Sequence, residues 1–159
     1  MTAELLKEMY IMKKNELQKL TPVKYRGKTI HGYYLDDMGN VWSTKKGFPH
    51  KLKPQCNPNS NNTGDHYPKL TLYFNGKSNH FRVHELVANT FVPFRKPDPV
   101  TASDWKKTPK SVKDLVQTTF QINHIDENKQ NFHPSNLEWV TGKQNSEKWA
   151  ANKHSQRAK

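Results

Sequence analysis

Apolar positions recur at helical spacing in two stretches of the chain, with a strand-rich region between them. Residues 3–19 follow a helical period and Thr2 is a suitable N-cap, which predicts an amphipathic helix that ends near Thr21. Residues 83–91 carry a second helical pattern. Residues 23–83 contain short runs of alternating apolar and polar positions bounded by turn residues, which is typical of a small antiparallel sheet.

The first predicted hairpin of this sheet joins residues 33–35 to residues 41–43 through the turn at residues 36–40. The stretch that follows, residues 45–64, is rich in Lys, Pro, Asn and Ser, and we predict a long loop there. The asparagine run at residues 57–62 is predicted to be a solvated part of that loop.

The second predicted hairpin turns at Asn75-Gly76, the strongest short turn signal in the sequence, between strands at residues 69–74 and 78–83. A two-residue turn fixes the register of three facing pairs: Leu70 with Phe81, Thr71 with His80, and Lys69 with Arg82. One face is then apolar, and the other presents four candidate contacts with a polyanion: Lys69, Tyr73, His80 and Arg82. Like charges that face each other repel. The pairing of Lys69 with Arg82 therefore favours a phosphate between the two side chains, although two solvated side chains would also be tolerated.

The part of the chain after the second helical pattern is less regular. Residues 94–109 are rich in Pro and Lys and have no clear period. Residues 111–118 are predicted to form a short helix capped by Ser111. Its apolar side chains are predicted to face inward: Val112, Leu115 and Val116.

Charge indicates the class of partner. The 159 residues include 26 Lys and Arg against 14 Asp and Glu, a formal net charge of +12. Basic side chains placed on phosphates release condensed counterions, so this balance favours a nucleic acid, although basic membrane-surface and ribosomal proteins share it. We predict a cytoplasmic protein with no membrane partner, because the sequence has no apolar run of about 20 residues. A single cysteine, Cys56, excludes an internal disulfide framework and a cysteine-based zinc knuckle.

The C-terminal quarter of the chain carries the candidate chemistry. A short strand at residues 121–125 enters a polar loop, a second strand at residues 137–140 leaves it, and Thr141 is a suitable N-cap for a following helix. Asn145 and Trp149 lie four residues apart and share one face of that helix. An amide directed at a core is costly unless it is bound to something, so Asn145 is a candidate ligand.

The run from Ile122 to Asn145 resembles the H-N-H nuclease motif, and in particular that of phage-borne H-N-H homing endonucleases. It contains Asn-His-Ile-Asp near its start and Asn-Leu-Glu-Trp-Val-Thr before its helix, with 12 residues from His124 to Asn136 and 9 from there to Asn145. A looser resemblance extends over residues 30–145.

The resemblance implies a role for each motif residue. His124 would be the general base, and Asn136 would fix the loop and orient the His124 ring. Asn123 and Asn145 would hold one Mg²⁺ or Mn²⁺ ion on the scissile phosphate. Phosphodiester hydrolysis needs a base poised near neutral pH and a cation for the developing charge. Because both implied ligands are neutral amides, we expect the metal to bind weakly until DNA supplies phosphate oxygens.

The implied fold class is α+β, with a small N-terminal antiparallel sheet and helices joined to a C-terminal ββα-metal motif without structural zinc. We predict three parts: residues 1–95 as the DNA-contacting region, 96–120 as a basic insert, and 121–159 as the nuclease motif with its helix. Two further lysines complete the predicted contacts with double-stranded DNA: Lys129 and Lys143.

We therefore predict a divalent-metal-dependent, homing-type DNA endonuclease that nicks or cuts duplex DNA. One alternative is a DNA-binding or packaging accessory protein whose nuclease core is inactive, and another is a non-specific or structure-selective nuclease. Asp126 and Glu127 are assigned to turn chemistry, and His84 to a structural role. Relatives often carry a C-terminal helix-turn-helix module; none follows residue 159, so a short or loose target specificity is expected.

Overall fold

The computed structural model describes residue 15, residues 18–56 and residues 66–157, with side chains described as far as residue 151. Apart from residues 15, 18 and 19, the amphipathic helix predicted at the N-terminus lies outside the described residues, as does the asparagine run. Among the helices that are described, none is long and apolar enough to cross a bilayer.

The first sheet has four antiparallel strands in chain order: β1 (Thr21–Tyr25), β2 (Lys28–Leu35), β3 (Val41–Ser43) and β4 (His50–Lys51). Strands β2 and β3 form the first predicted hairpin, with Tyr34 facing Trp42. The long loop predicted after it is only partly a loop, because β4 pairs with β3 and an isolated bridge joins Gln55 to Lys69. The β3–β4 pairing is local and the bridge from Gln55 to Lys69 is long-range, and the polar composition of the segment indicated neither.

The turn of the first hairpin is fixed by side-chain hydrogen bonds and by a close approach to the motif loop. The carboxylate of Asp36 accepts hydrogen bonds from the Trp42 indole at 3.0 Å and from the Asn40 backbone at 2.8 Å. Gly39 has φ +83°, and a β-carbon there would lie 2.8 Å from the carbonyl oxygen of Phe132. The turn thus needs glycine both for its backbone conformation and for its contact with the loop before β8.

The second hairpin has the predicted register. Strands β5 (Lys69–Phe74) and β6 (Lys77–Arg82) pair Leu70 with Phe81, Thr71 with His80 and Lys69 with Arg82. Helix α1 (Val83–Phe91) follows directly, as its apolar period predicts. Strand β6 begins and ends one residue earlier than predicted. It ends at Arg82 because Val83 is already the first residue of the helix.

Helix α1 occupies the centre of the core. Its residues Leu86, Val87 and Ala88 are fully buried, and it contacts β1, β6, β7 and β8. Complete burial of an aliphatic side chain such as that of Leu86 stabilises the fold by about 1.5–3 kcal/mol. The same buried cluster includes residues of both hairpins and Leu137 of β8, so the motif strands pack on the helix that the hairpins also cover.

Two short helices occupy the region predicted to be irregular or only partly helical: α2 (Ala102–Lys107) and α3 (Lys110–Gln117). Helix α2 was not predicted from the sequence; its N-cap Thr101 accepts a hydrogen bond from the Asp104 backbone at 3.1 Å. The N-cap of α3 is Pro109 rather than Ser111.

The predicted inward orientation of α3 is wrong for two of its three apolar residues. Val112 and Leu115 are 43% and 67% exposed, and Val116 is half-buried. The face of α3 near the body of the protein instead carries Asp114, whose carboxylate lies close to Gly27 in the turn between β1 and β2. Amphipathic spacing correctly grouped the apolar residues on one face, but it did not determine which face the rest of the protein covers.

The C-terminal segment forms the predicted β-β-α unit. Strands β7 (Gln121–His124) and β8 (Leu137–Val140) are antiparallel, and helix α4 (Gly142–Arg157) follows. Thr141 caps this helix reciprocally with Gln144: the Gln144 backbone N–H donates to the threonine hydroxyl, and the Gln144 side chain accepts from the Thr141 backbone N–H. This capping box fixes the start of the helix that carries Asn145.

Candidate active site

His124 is the last residue of β7 and is only 4% exposed. Its ring packs against two aromatic rings, with centroids 4.9 Å from His84 and 5.7 Å from Tyr67. Among the described residues, nothing forms a hydrogen bond with His124 Nε2. A buried polar atom without a hydrogen bond costs free energy, so its presence in a folded protein calls for a functional explanation. An imidazole nitrogen with a lone pair can accept a proton.

The electrostatic surroundings keep the His124 ring neutral. Burial lowers the pKa of His124, the carboxylate of Asp126 acts to raise it, and the ammonium of Lys129 acts to lower it further. The net pKa lies below the ordinary value, so the ring is neutral at pH 7. Neutral imidazole is the form that can take a proton from water.

Asn136 closes the loop between β7 and β8. Its side-chain oxygen accepts from the Asp126 backbone at 3.1 Å, and its amide donates to the Asp126 carboxylate and the Asn131 carbonyl, each at 2.8 Å. The backbone of Ile125 donates to the Asn136 carbonyl at 2.9 Å. In the described part of the chain, Asn136 makes no hydrogen bond with the His124 ring, whose neighbours are the two aromatic rings instead.

Asp126 belongs to the same loop network. Hydrogen bonds from Asn131 and Asn136 hold the pKa of Asp126 below its usual value. The Asn128 backbone also donates to this carboxylate, at 2.8 Å. Glu127 next to it has φ +63° and is exposed, as expected of a tight turn.

The two predicted metal ligands are held through their amide nitrogens. Asn123 donates from Nδ2 to the Glu138 carboxylate, and Asn145 donates from Nδ2 to the side-chain oxygen of Gln121, both at 2.8 Å. Neither Asn side-chain oxygen accepts a hydrogen bond from any residue that the structure describes. Both residues and His124 line one cleft of about 680 Å³.

This donor set fits a hard divalent cation. Mg²⁺ and Mn²⁺ prefer oxygen ligands and keep several waters, so two amide oxygens suffice when a phosphate contributes the rest. The described residues contain no group of three His, Cys, Asp or Glu side chains that could hold a metal by themselves. Asn145 is half-buried as expected, but Trp149 beside it is 60% exposed rather than packed into the core.

The predicted DNA contacts fall into separate places. Arg82 and Lys129 both lie over the ring of Tyr67, at 5.2 and 4.9 Å, beside the candidate base. The Arg82 guanidinium also forms an ion pair with the Glu85 carboxylate, at 3.6 Å. Lys69 faces Arg82 across the hairpin.

The remaining predicted contacts lie away from the cleft that contains His124. Tyr73 is 51% exposed and has the ammonium of Lys45 over its ring at 4.9 Å. The ring of His80 is hydrogen-bonded to Thr71 at 2.9 Å. Lys143 lies 3.8 Å from Glu147 on the outer part of α4.

Four residues of the site were not assigned to it from the sequence: Tyr67, His84, Glu138 and Lys148. Glu138 faces Asn123 across the β7–β8 pair, and its carboxylate also accepts a hydrogen bond from the Lys148 ammonium. Burial acts to raise the pKa of Glu138, but the hydrogen bonds from Lys148 and Asn123 outweigh it, so the net pKa is lowered. Lys148 stands three residues after Asn145, a helical spacing that could have revealed it.

Two sequence comparisons find similarity to HNH endonucleases. Residues 116–147 match the family model described as HNH endonuclease. The chain is 29% identical over 128 residues to an uncharacterized HNH endonuclease of Acanthamoeba polyphaga mimivirus, a match that covers 77% of this chain and 31% of the relative. Both matches are to HNH endonucleases, the family that the sequence of the motif resembles.

A solved structure extends the likeness to the fold. The structure titled "DNA binding and cleavage by the HNH homing endonuclease I-HmuI" matches with a TM-score of 0.53 and 28% identity, over 79% of this chain and 57% of that chain. The α+β architecture predicted from the sequence is thus confirmed. The chain spans about a third of the viral relative's length and rather more than half of the solved chain.

Proposed function

We propose that this protein is a divalent-metal-dependent DNA endonuclease of the HNH type, which hydrolyses phosphodiester bonds in duplex DNA. One observation carries the proposal: the buried His124, whose Nε2 atom has no hydrogen-bond partner among the described residues, lines the same cleft as Asn123 and Asn145. These are the components that phosphodiester hydrolysis requires, a base and a set of oxygen ligands beside a space for the substrate.

His124 acts as the general base in this proposal. Its Nε2 atom takes a proton from the attacking water, and burial supports this role by lowering the pKa of the ring so that the lone pair is available at pH 7. The rings of His84 and Tyr67 restrict how the imidazole can turn. Asn136 holds the loop that begins directly after His124.

Asn123 and Asn145 are proposed to hold one Mg²⁺ or Mn²⁺ ion through their side-chain oxygens. When bound, the ion neutralises negative charge that builds on the phosphate and the leaving oxygen. Glu138 and Gln121 support this assignment. Glu138 accepts a hydrogen bond from the amide nitrogen of Asn123, and Gln121 accepts one from that of Asn145, so each Asn oxygen stays available as a metal ligand.

DNA is the proposed partner. The net charge of +12 favours a polyanion, and Arg82, Lys129 and Lys148 bring three cations to the surroundings of the site. We assign residues 1–95 to DNA contact, 96–120 to a basic insert and 121–159 to the nuclease motif. The homing character of I-HmuI is extended to this chain as part of the proposal, together with a phage origin and a cytoplasmic location.

The test is a plasmid assay. Supercoiled plasmid incubated with the protein is expected to become open-circular or linear with Mg²⁺ or Mn²⁺, and to stay supercoiled when EDTA removes the metal. Cleavage that is unchanged in EDTA would contradict the metal dependence.

A second candidate is a DNA-binding protein whose nuclease core does not cleave. It is favoured by one observation, namely that both ligand positions carry neutral amides, which bind cations more weakly than carboxylates. Retained duplex binding with no cleavage under either metal would support this candidate over the endonuclease.

A further inference from the structure

The carboxylate of Glu138 lies between a proposed metal ligand and a lysine. Its Oε1 atom accepts one hydrogen bond from Asn123 Nδ2, at 2.8 Å, and a second from the ammonium of Lys148. Glu138 stands directly opposite Asn123 in the β7–β8 pair, and Lys148 comes from helix α4. All three residues line the cleft that contains His124.

The first consequence concerns the orientation of the Asn123 amide. The two ends of an asparagine side chain are nearly equal in size, so packing distinguishes them poorly, whereas hydrogen-bond partners distinguish them sharply. An ionised carboxylate only accepts hydrogen bonds, so Glu138 selects the nitrogen end and directs the oxygen of Asn123 away from itself. A neutral partner that could also donate would not enforce this choice.

The second consequence concerns charge. Asn123 and Asn145 are neutral. Within the described residues, the only side chain besides Glu138 that is hydrogen-bonded to either amide is that of Gln121, which is neutral as well. Glu138 is therefore the negative group attached to the proposed ligand set. The Lys148 ammonium shares that carboxylate and offsets its attraction for a nearby cation.

We propose that Glu138 is a positioning residue for the cation site and that Lys148 is the counter-ion that weakens cation binding there. The inference rests on the proposed function and deepens it, because it names what sets the affinity of the site. It predicts opposite effects from the two members of one ion pair, which a purely structural ion pair would not produce.

The experiment measures Mn²⁺ binding to the full chain at protein concentrations high enough to detect weak binding, with free Mn²⁺ followed by electron paramagnetic resonance. Glu138→Gln keeps a hydrogen-bond acceptor but removes the charge, and it is expected to weaken Mn²⁺ binding about tenfold, as outer partners of metal ligands commonly do. Lys148→Met is expected to strengthen binding several-fold. The double variant is expected to fall between the two single variants.

Lys110→Met is the matched control, because it removes the same charge at a helical lysine that is paired with Asp114 and does not line the cleft that contains His124. It is expected to leave Mn²⁺ affinity unchanged. Thermal unfolding of each variant confirms that it folds, and Glu138→Asp is the second variant if Glu138→Gln does not. Weaker binding in both Glu138→Gln and Lys148→Met, or no change in either, would overturn the inference.

Failure of the inference is distinguishable from failure of the proposed function. A wild-type protein that binds Mn²⁺ and cleaves plasmid, with variants of unchanged affinity, would overturn the inference alone. A wild-type protein that neither binds Mn²⁺ nor cleaves would overturn both.

Discussion

The imidazole rings of His84 and His124 lie 4.9 Å apart in a nearly edge-to-face arrangement. His84 is the second residue of helix α1, the central helix of the core, and it is 5% exposed. Its ring also packs against Tyr67, at 4.6 Å. The central helix of the core is thereby placed directly against the candidate base, so the orientation of His124 is coupled to the core through aromatic packing.

Replacing His84 with Ala should reduce cleavage without reducing DNA affinity. Loss of the ring leaves space beside His124, and a general base that contributes about 10²–10⁴-fold loses part of that contribution when it is poorly oriented. We expect the single-turnover cleavage rate to fall about tenfold. The single-turnover cleavage rate is measured at saturating protein, and the affinity for the duplex is measured separately. His84→Phe restores a ring and should recover much of the loss; a wild-type rate in His84→Ala would refute the coupling.

The two cations over Tyr67 should contact phosphates of the bound duplex. If each of Arg82 and Lys129 neutralises one phosphate, replacing either with Met should reduce the slope of log affinity against log salt concentration by about 0.9. Duplex affinity measured across a salt series gives this slope. Lys106→Met, on the exposed surface of helix α2, is the control and should leave the slope unchanged. An unchanged slope in both cleft variants would place the DNA elsewhere.

Asp36 should stabilise the protein in a pH-dependent way. Burial acts to raise its pKa, but hydrogen bonds from the Trp42 side chain, from Asn40 and from the Met38 backbone outweigh burial and lower it below the ordinary 3.8. A carboxylate with a depressed pKa contributes stability above its unfolded-state pKa and loses that contribution as the pH falls through the folded-state value.

Asp36→Ala should therefore lower the free energy of unfolding at pH 7 by about 1.5–3 kcal/mol, the range for hydrogen bonds to a charged group. The difference from wild type should shrink as the pH is lowered below 3.8. Urea unfolding at neutral and acidic pH measures both values. Asp37→Ala, at the exposed neighbouring position, is the control and should have little effect at either pH. A deficit that is the same at both pH values would rule out the charged hydrogen bonds as its cause.

Local patterns predicted the elements that depend on neighbouring residues. The Asn75-Gly76 turn and the alternation around it gave the register of β5 and β6, and Leu137–Val140 was predicted with its observed bounds. The capping residue Thr141 was also recognisable, because a cap acts within one helical turn. Motif spacing placed His124, Asn123 and Asn145, which the fold brings to one cleft.

Features that depend on distant residues were not predictable in this way. Tyr67, His84 and His124 meet only because hairpin, helix and motif pack on one core. Glu138 faces Asn123 through the pairing of β7 with β8 across a loop, and no short pattern encodes that register. The exposed Leu115 is another example. The sequence shows that a helix has an apolar face, but it does not show whether another part of the protein packs on that face.

The central claim is that His124 is the base of a DNA-cleaving site, and single-turnover cleavage of duplex DNA by His124→Ala tests it most directly. His133→Ala is the matched control, a histidine of the same loop whose ring is hydrogen-bonded to Ser135 at 2.7 Å. We predict that His124→Ala binds the duplex as wild type does but cleaves it about 10²–10⁴-fold more slowly, while His133→Ala cleaves at close to the wild-type rate. Wild-type cleavage by His124→Ala would contradict the account.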